Sequence, residues 1–311
     1  MGDFLKFEPI FLPKIWGGNR ICNLTNWNAN VPIQCGEVWL VSDVQQQETS
    51  IFGLNCTLGD LIKSDTQHEY FSEQFKEKYQ QFPLLIKIID AQEDLSIQVH
   101  PNDEIALRKH QSLGKSESWI ILEHEENAAL FLGWKREMTL EMIQNASING
   151  SIADEINRVP VSKNEMFYIP AGLVHSIGKG IVLGEIQQSS DVTYRLFDFN
   201  RKDAEGNLRE LHLDDSFDAL TLDEYKPQIN DKDSIASEYF SYSRHQLNPN
   251  QNFQLLPNQL IWILEGDHAS LSSQESNTQI NKHEPVWIPN SFSNVILNSD
   301  QNITFLIIQI P

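Results

Sequence analysis

Short apolar stretches rich in β-branched and aromatic residues, bounded by Gly, Pro, Asn and Asp, recur along the chain and predict strands. They fall at 36–43 (GEVWLVSD), 82–90, 95–100, 118–122, 128–134, 166–170, 180–188, 193–199, 260–264, 284–289 and 303–310. Many are close enough in sequence to pair as antiparallel neighbours, so the pattern predicts a mainly β protein, a barrel or a sandwich. Helical periodicity is confined to inserts at about 58–80, 103–111 and 139–158, the last with an interrupted stripe of Leu140, Ile143, Ile152 and Ile156. No short-period repeat is found. Pro and Asn thicken over 225–257, which reads as a linker before a final β segment and predicts two unequal domains, 1–230 and 231–311.

Composition narrows the partners. Lys and Arg number 23 against 43 Asp and Glu, a net charge of −20. Such a field repels phosphodiester backbones and anionic bilayers, so neither nucleic acid nor a membrane is an expected partner. It equally disfavours a phosphorylated metabolite unless local cations gather around it. The three cysteines, Cys22, Cys35 and Cys56, have no paired spacing, which predicts neither a disulfide framework nor a thiolate metal site. The N-terminal MGDFLKFEPIFLP lacks the apolar core of a signal peptide, and no run approaches the roughly 18 apolar residues of a membrane span. A soluble, cytoplasmic protein is expected, and no protein partner is indicated.

Candidate chemistry concentrates in a few segments. Gln98 and His100 are two apart in a predicted strand and share a face, while Asn102, beyond Pro101, belongs to the turn. Glu117 follows in the polar segment GKSES, where a hairpin return could set it beside His100. The stretch IPAGLVHS places Pro170 and Gly172 in a tight turn ahead of His175. Either histidine alone would be unremarkable. Together Gln98, His100, Glu117 and His175 offer two imidazole nitrogens and two oxygens, a set suited to a borderline divalent ion, zinc first. Lys87 interrupts the apolar run PLLIKIID, where a charge is costly unless it faces a polar cavity. With Lys115, Arg195 and Arg201 it supplies the cationic nest that an anionic ligand would need. No GxGxxG or P-loop pattern occurs, so no nucleotide or nicotinamide cofactor is expected.

These motifs occur in a telling order. QVHPND from Gln98, GKSE ending at Glu117, PAGLVH ending at His175 and EIQQSSDVTYRLFDFNR from Glu185 to Arg201 resemble class I mannose-6-phosphate isomerases of the cupin superfamily. Trp16-Gly17-Gly18, the GEVW run at Gly36 and PLLIK ending at Lys87 add to the match, which spans about residues 7–215. The resemblance implies a cupin jelly-roll barrel with helical inserts and, more loosely, a smaller cupin-like C-terminal domain. It implies that Gln98, His100, Glu117 and His175 bind one zinc ion and that Arg195 is catalytic. Glu185 is a candidate base, with a metal-bound hydroxide or a histidine as the alternative, and Trp16, Lys87, Lys115 and Arg201 are candidate substrate contacts. The implied reaction is reversible isomerisation of mannose 6-phosphate and fructose 6-phosphate through an enediolate. The alternatives are a non-catalytic sugar-phosphate-binding cupin and a metal-cupin enzyme of another reaction class. The chain departs from the family pattern at Ser116 and at Asn164-Glu165, and KHEPVWIPNSF in the second β segment lacks the ligand histidine.

Overall fold

A computed structural model describes residues 3–24, 31–202, 205–228 and 233–311. The expected domain boundary near residue 230 lies outside the described residues. Two pairs of antiparallel sheets form the body of the protein, beside a two-stranded hairpin of Asp43–Val44 and Gln47–Glu48. In the first pair, a six-stranded sheet has the order Met166–Ile169, Glu117–His124, Ile181–Gln188, Leu84–Ala91, Ile10–Gly18 and Cys35–Val41, the last strand also pairing with Leu84–Ala91. It faces a five-stranded sheet ordered Ile156–Pro160, Ala129–Trp134, His175–Ile177, Ile97–Val99 and Tyr194–Phe197. Together they close the cupin-type barrel.

The second pair joins a six-stranded sheet, which includes Gln259–Glu265, Ile303–Gln309 and Ser241–Leu247, to a four-stranded sheet built from Asn252–Leu255, Val295–Asn298, His268–Ser272 and Asn277–Asn281. The N-terminal strand Leu5–Lys6 completes this second barrel by pairing with Val286–Trp287.

Period-two alternation decides which side of each strand meets which core. Along three neighbouring strands of the first barrel, Ile86 and Ile88, Ile120 and Leu122, and Val182 and Ile186 point outward. They pack with Leu260, Trp262 and Leu306 of the second barrel. The alternate residues Ile89, Trp119, Ile121, Ile181 and Leu183 point inward, against Leu130, Leu132 and Ile177 of the facing sheet. Continuously apolar strands are therefore sandwiched between two cores.

Three expectations need correction. Residues 139–158 are not one helix: Leu140–Asn149 is helical, Gly150 ends it at φ 80°, and Ile156–Pro160 is a strand. The glycine takes the left-handed conformation that stops the helix. Residues 58–80 form two short helices, Leu58–Ser64 and Glu73–Lys78, separated by a turn whose backbone N–H groups at Glu69, Tyr70 and Phe71 donate to Asp65. The stretch 225–257 contains the strands Ser234–Ala236, Ser241–Leu247 and Asn252–Leu255, so much of it is barrel wall and not linker. Among the described residues, no helix is long and apolar enough to cross a membrane.

Candidate active site

Strand register assembles the site. On the six-stranded sheet Glu185 stands opposite Lys87 on one side and Trp119 on the other, and Lys87 stands opposite Trp39. On the facing sheet Gln98 stands between His175 and Arg195. Residues in register project to the same face, so each sheet contributes one row of polar side chains to the barrel interior.

His100 lies just past the Ile97–Val99 strand, and Glu117 opens its own. Both meet His175: ligand-type atoms of the three lie within 4.8 Å of one another, and all three residues are buried. His100 Nε2 is 3.4 Å from Glu117 Oε2, and His175 Nε2 is 3.5 Å from Glu117 Oε1. Carbonyls can only accept, so the 3.0 Å contact to Val192 O and the 2.8 Å contact to Leu173 O assign the proton to Nδ1 of His100 and His175 respectively. Both Nε2 lone pairs then face the carboxylate, as in metal-binding histidines held by backbone acceptors.

Gln98 abuts the cluster through its amide nitrogen, Nε2 lying 3.3 Å from His175 Nε2, while its Oε1 accepts from Ser96 Oγ at 3.1 Å. Lys115 extends its ammonium to His100 Nε2 at 2.9 Å and to Glu117 Oε2. Burial, then the Lys115 charge, pushes His100 down to about 3, and burial also lowers His175. Burial pushes Glu117 up, but the Lys115 ammonium, the largest opposing influence, holds the carboxyl well below its usual range. At neutral pH the cluster is two neutral imidazoles and a carboxylate, the protonation state that divalent ligation requires. Glu117 Oε1 is buried without a hydrogen-bond partner. An orphan acceptor facing an imidazole lone pair fits a bound cation.

Over the cluster opens a cavity of about 280 Å³, lined by Trp16, Lys87, Gln98, Lys115, Glu185 and Arg195 among others. A larger concavity of about 710 Å³ next to it shares Asp191 but contains none of the clustered donors. Chemistry therefore points to the smaller one. Lys87 Nζ is 2.9 Å from Glu185 Oε1, and Trp119 Nε1 donates to Glu185 Oε2 at 2.8 Å. The expected polar surroundings of Lys87 are real. Arg195 Nη1 donates to the Glu210 carbonyl at 2.7 Å, while its buried Nε has no partner.

Arg201, expected with the other cations, does not line the cavity: its guanidinium donates to Asp198 and to the Asp94 carbonyl. Arg209 lines it instead, held by two bonds of 2.6 and 2.5 Å to Asp198. Glu37 and Trp39 were also overlooked. Trp39 Nε1 donates to Glu37 Oε2 at 2.7 Å, and although burial opposes it, Lys87 and Lys14 bring Glu37 down to about 2. A carboxylate alternating with apolar residues in GEVW was the available signal.

A cupin-type barrel with a buried His-Glu-His cluster beneath a charged cavity defines the class: a cupin protein with a candidate metal site. The model of the phosphomannose isomerase type I catalytic domain matches residues 4–129. Mannose-6-phosphate isomerase ManA of Bacillus subtilis is 36% identical over 290 residues, which cover 87% of this chain and 88% of that protein. The chain belongs to the mannose-6-phosphate isomerase family. In fold it is similar to the crystal structure of the Bacillus subtilis mannose 6-phosphate isomerase, with a TM-score of 0.84 at 24% identity, covering 99% of this chain and 100% of that one. It is also similar to a mannose 6-phosphate isomerase bound with zinc and yttrium, with a TM-score of 0.73 at 15% identity over 99% of this chain and 100% of that one.

Proposed function

We propose that the chain interconverts mannose 6-phosphate and fructose 6-phosphate, with one zinc ion held by Gln98, His100, Glu117 and His175. The observation that carries this reading is the buried triad of His100, Glu117 and His175, neutral, ionised and neutral in turn, in a chain of this family. A zinc ion there would supply Lewis acidity, polarising the sugar carbonyl and favouring charge on the neighbouring oxygens.

The chain's own groups do the rest. Lys14, Lys87, Lys115, Arg195 and Arg209 outnumber Glu37, Glu185 and Asp191 around the cavity. That local excess, against a net charge of −20, suits a phosphorylated sugar. Arg195, with an unpartnered buried Nε, neutralises charge that develops on the substrate oxygens, an interaction stronger in the transition state than in the ground state. Glu185, between Lys87 and Lys115 on the opposite wall, carries the proton between adjacent sugar carbons. Trp16 closes one side of the cavity against water. The catalytic unit is read as residues 1–230, apart from the strand Leu5–Lys6 that pairs within the second barrel, and 231–311 as the supporting unit.

A coupled assay on the purified protein tests the reaction. Turnover of mannose 6-phosphate in both directions is expected, with unphosphorylated mannose far poorer in kcat/KM. Zinc-replete protein that binds mannose 6-phosphate without converting it would replace the isomerase reading with that of a sugar-phosphate-binding protein.

A further inference from the structure

Asp103 and Gln188 line neither cavity and bond to none of the clustered donors, yet they join the segments from which those donors project. The segments are the turn after His100, the loop before Glu117 and the end of the Ile181–Gln188 strand. Gln188 uses both ends of its amide: Oε1 accepts from Ser116 N–H at 2.9 Å, and Nε2 donates to Asp103 Oδ1 at 2.9 Å. The same Asp103 oxygen accepts from Gly114 N–H at 2.7 Å. Backbone bonds tighten the joint, from Lys115 N–H to the Pro101 carbonyl at 3.0 Å and from Gln188 N–H to the Ser116 carbonyl at 3.1 Å.

Gln188 is 4% exposed and Ser116 2%, so bulk water cannot take the place of these partners. At Gly114 a Cβ would lie 2.6 Å from Asn102 C and Asp103 N, so the loop runs against the start of the helix Asp103–His110 with no room for a side chain. Lys115 and Glu117 flank Ser116, and both meet His100 Nε2. Any slip of 114–116 against 101–103 would carry both away from His100 together.

We propose that Asp103 and Gln188 are positioning residues that set the geometry of the metal centre by clamping the loop 114–116 to the turn 101–103. The proposal rests on reading Gln98, His100, Glu117 and His175 as metal ligands. It explains why Gln188, three positions from Glu185 and Asp191, its nearest neighbours in sequence that line the cavity, should matter to a centre it does not touch.

Zinc affinity, measured by competition with a chromophoric chelator, tests the clamp in wild type, Gln188→Leu, Gly114→Ala and Asp103→Asn, alongside thermal unfolding, kcat and KM. Gln188→Leu and Gly114→Ala should bind zinc about 10- to 100-fold more weakly, with kcat falling more than KM rises. Asp103→Asn keeps the acceptor oxygen and should stay close to wild type. Folded Gln188→Leu with wild-type zinc affinity and kcat would overturn the clamp. If that variant does not fold, unchanged affinity in Gly114→Ala does so. Wild-type protein that takes up no zinc would overturn the metal-centre reading and the clamp with it, whereas equal tight binding by wild type and Gln188→Leu removes the clamp alone.

Discussion

The two barrels pair sheets in the same way and fill their interiors differently. The second is packed with Ile261, Ile263, Leu271, Ile280, Val295 and Phe305. The first is apolar at one end, around Trp119, Ile121, Leu130 and Leu183, and at the other buries Lys87, His100, Lys115, Glu117, His175 and Glu185. Burying charge is costly unless each group is paired, and here Lys87 pairs with Glu185 and Lys115 with Glu117. Among the described residues the second barrel buries no carboxylate or ammonium, only His283 and a few neutral polar groups, and it gives its outer face to the first. Trp262 packs where a Cβ on Gly184 would lie 2.4 Å from its ring, and Tyr242 Oη lies 2.7 Å from Ser118 Oγ. Gly184 and Ser118 adjoin Glu185 and Glu117, so the apolar barrel supports the backs of the strands whose fronts carry chemistry.

The largest effect expected from this division comes at the cluster. His100→Ala and His175→Ala should each lose bound metal and lower kcat/KM by on the order of 10³-fold, the equivalent of several kcal/mol of lost charge stabilisation. Elemental analysis beside the kinetic assay checks both, and full zinc occupancy in either variant would remove that histidine from the ligand set. Arg195→Lys should keep its metal and lose about 10²-fold in kcat, because a point charge replaces a planar fork of donors. Comparable kcat in the two proteins would make Arg195 structural.

Leu271→Ala, inside the apolar barrel, sharpens the comparison from the other side. It should cost about 2–5 kcal/mol in denaturant unfolding and leave zinc occupancy and kcat unchanged at low temperature. A parallel loss of metal would deny that the two interiors have separate roles.

A smaller effect concerns pH. Burial and the Lys115 charge lower His100 to about 3 in the folded protein, from the ordinary imidazole value of 6.5. Below the unfolded value the unfolded chain therefore binds more protons, and metal-free protein should lose stability as pH falls from about 6.5 towards 3. His175 and Glu117, both lowered, act in the same direction. Urea melts across this range that show no decline would contradict the burial of neutral imidazoles.

What could be read in advance follows a physical rule. Lys87 was legible because a charge inside an apolar strand requires a polar cavity, and Gln98 with His100 because period two fixes a shared face. Arg209 was not, since an arginine in the polar segment GNLREL has no periodic signature and reaches the cavity only through its pairing with Asp198. Arg201, read with the other cations because it closes the same motif, is drawn to the same aspartate from outside the cavity. The strand Ser241–Leu247 escaped because SYSRHQL buries only Tyr242 and Leu247, five positions apart, and so shows no period-two apolar alternation. Ile10–Gly18 escaped because Pro13 and consecutive glycines interrupt its pattern, although Trp16 at its end lines the cavity.

Stepwise return of zinc to chelator-stripped protein, with mannose 6-phosphate isomerase activity and bound metal measured on the same samples, tests the union of metal and reaction most directly. Activity should rise in proportion to bound zinc and level off at one equivalent per chain, with His100→Ala staying on the order of 10³-fold below wild type throughout. Full activity in metal-free protein, or one equivalent of zinc bound without turnover, would contradict it.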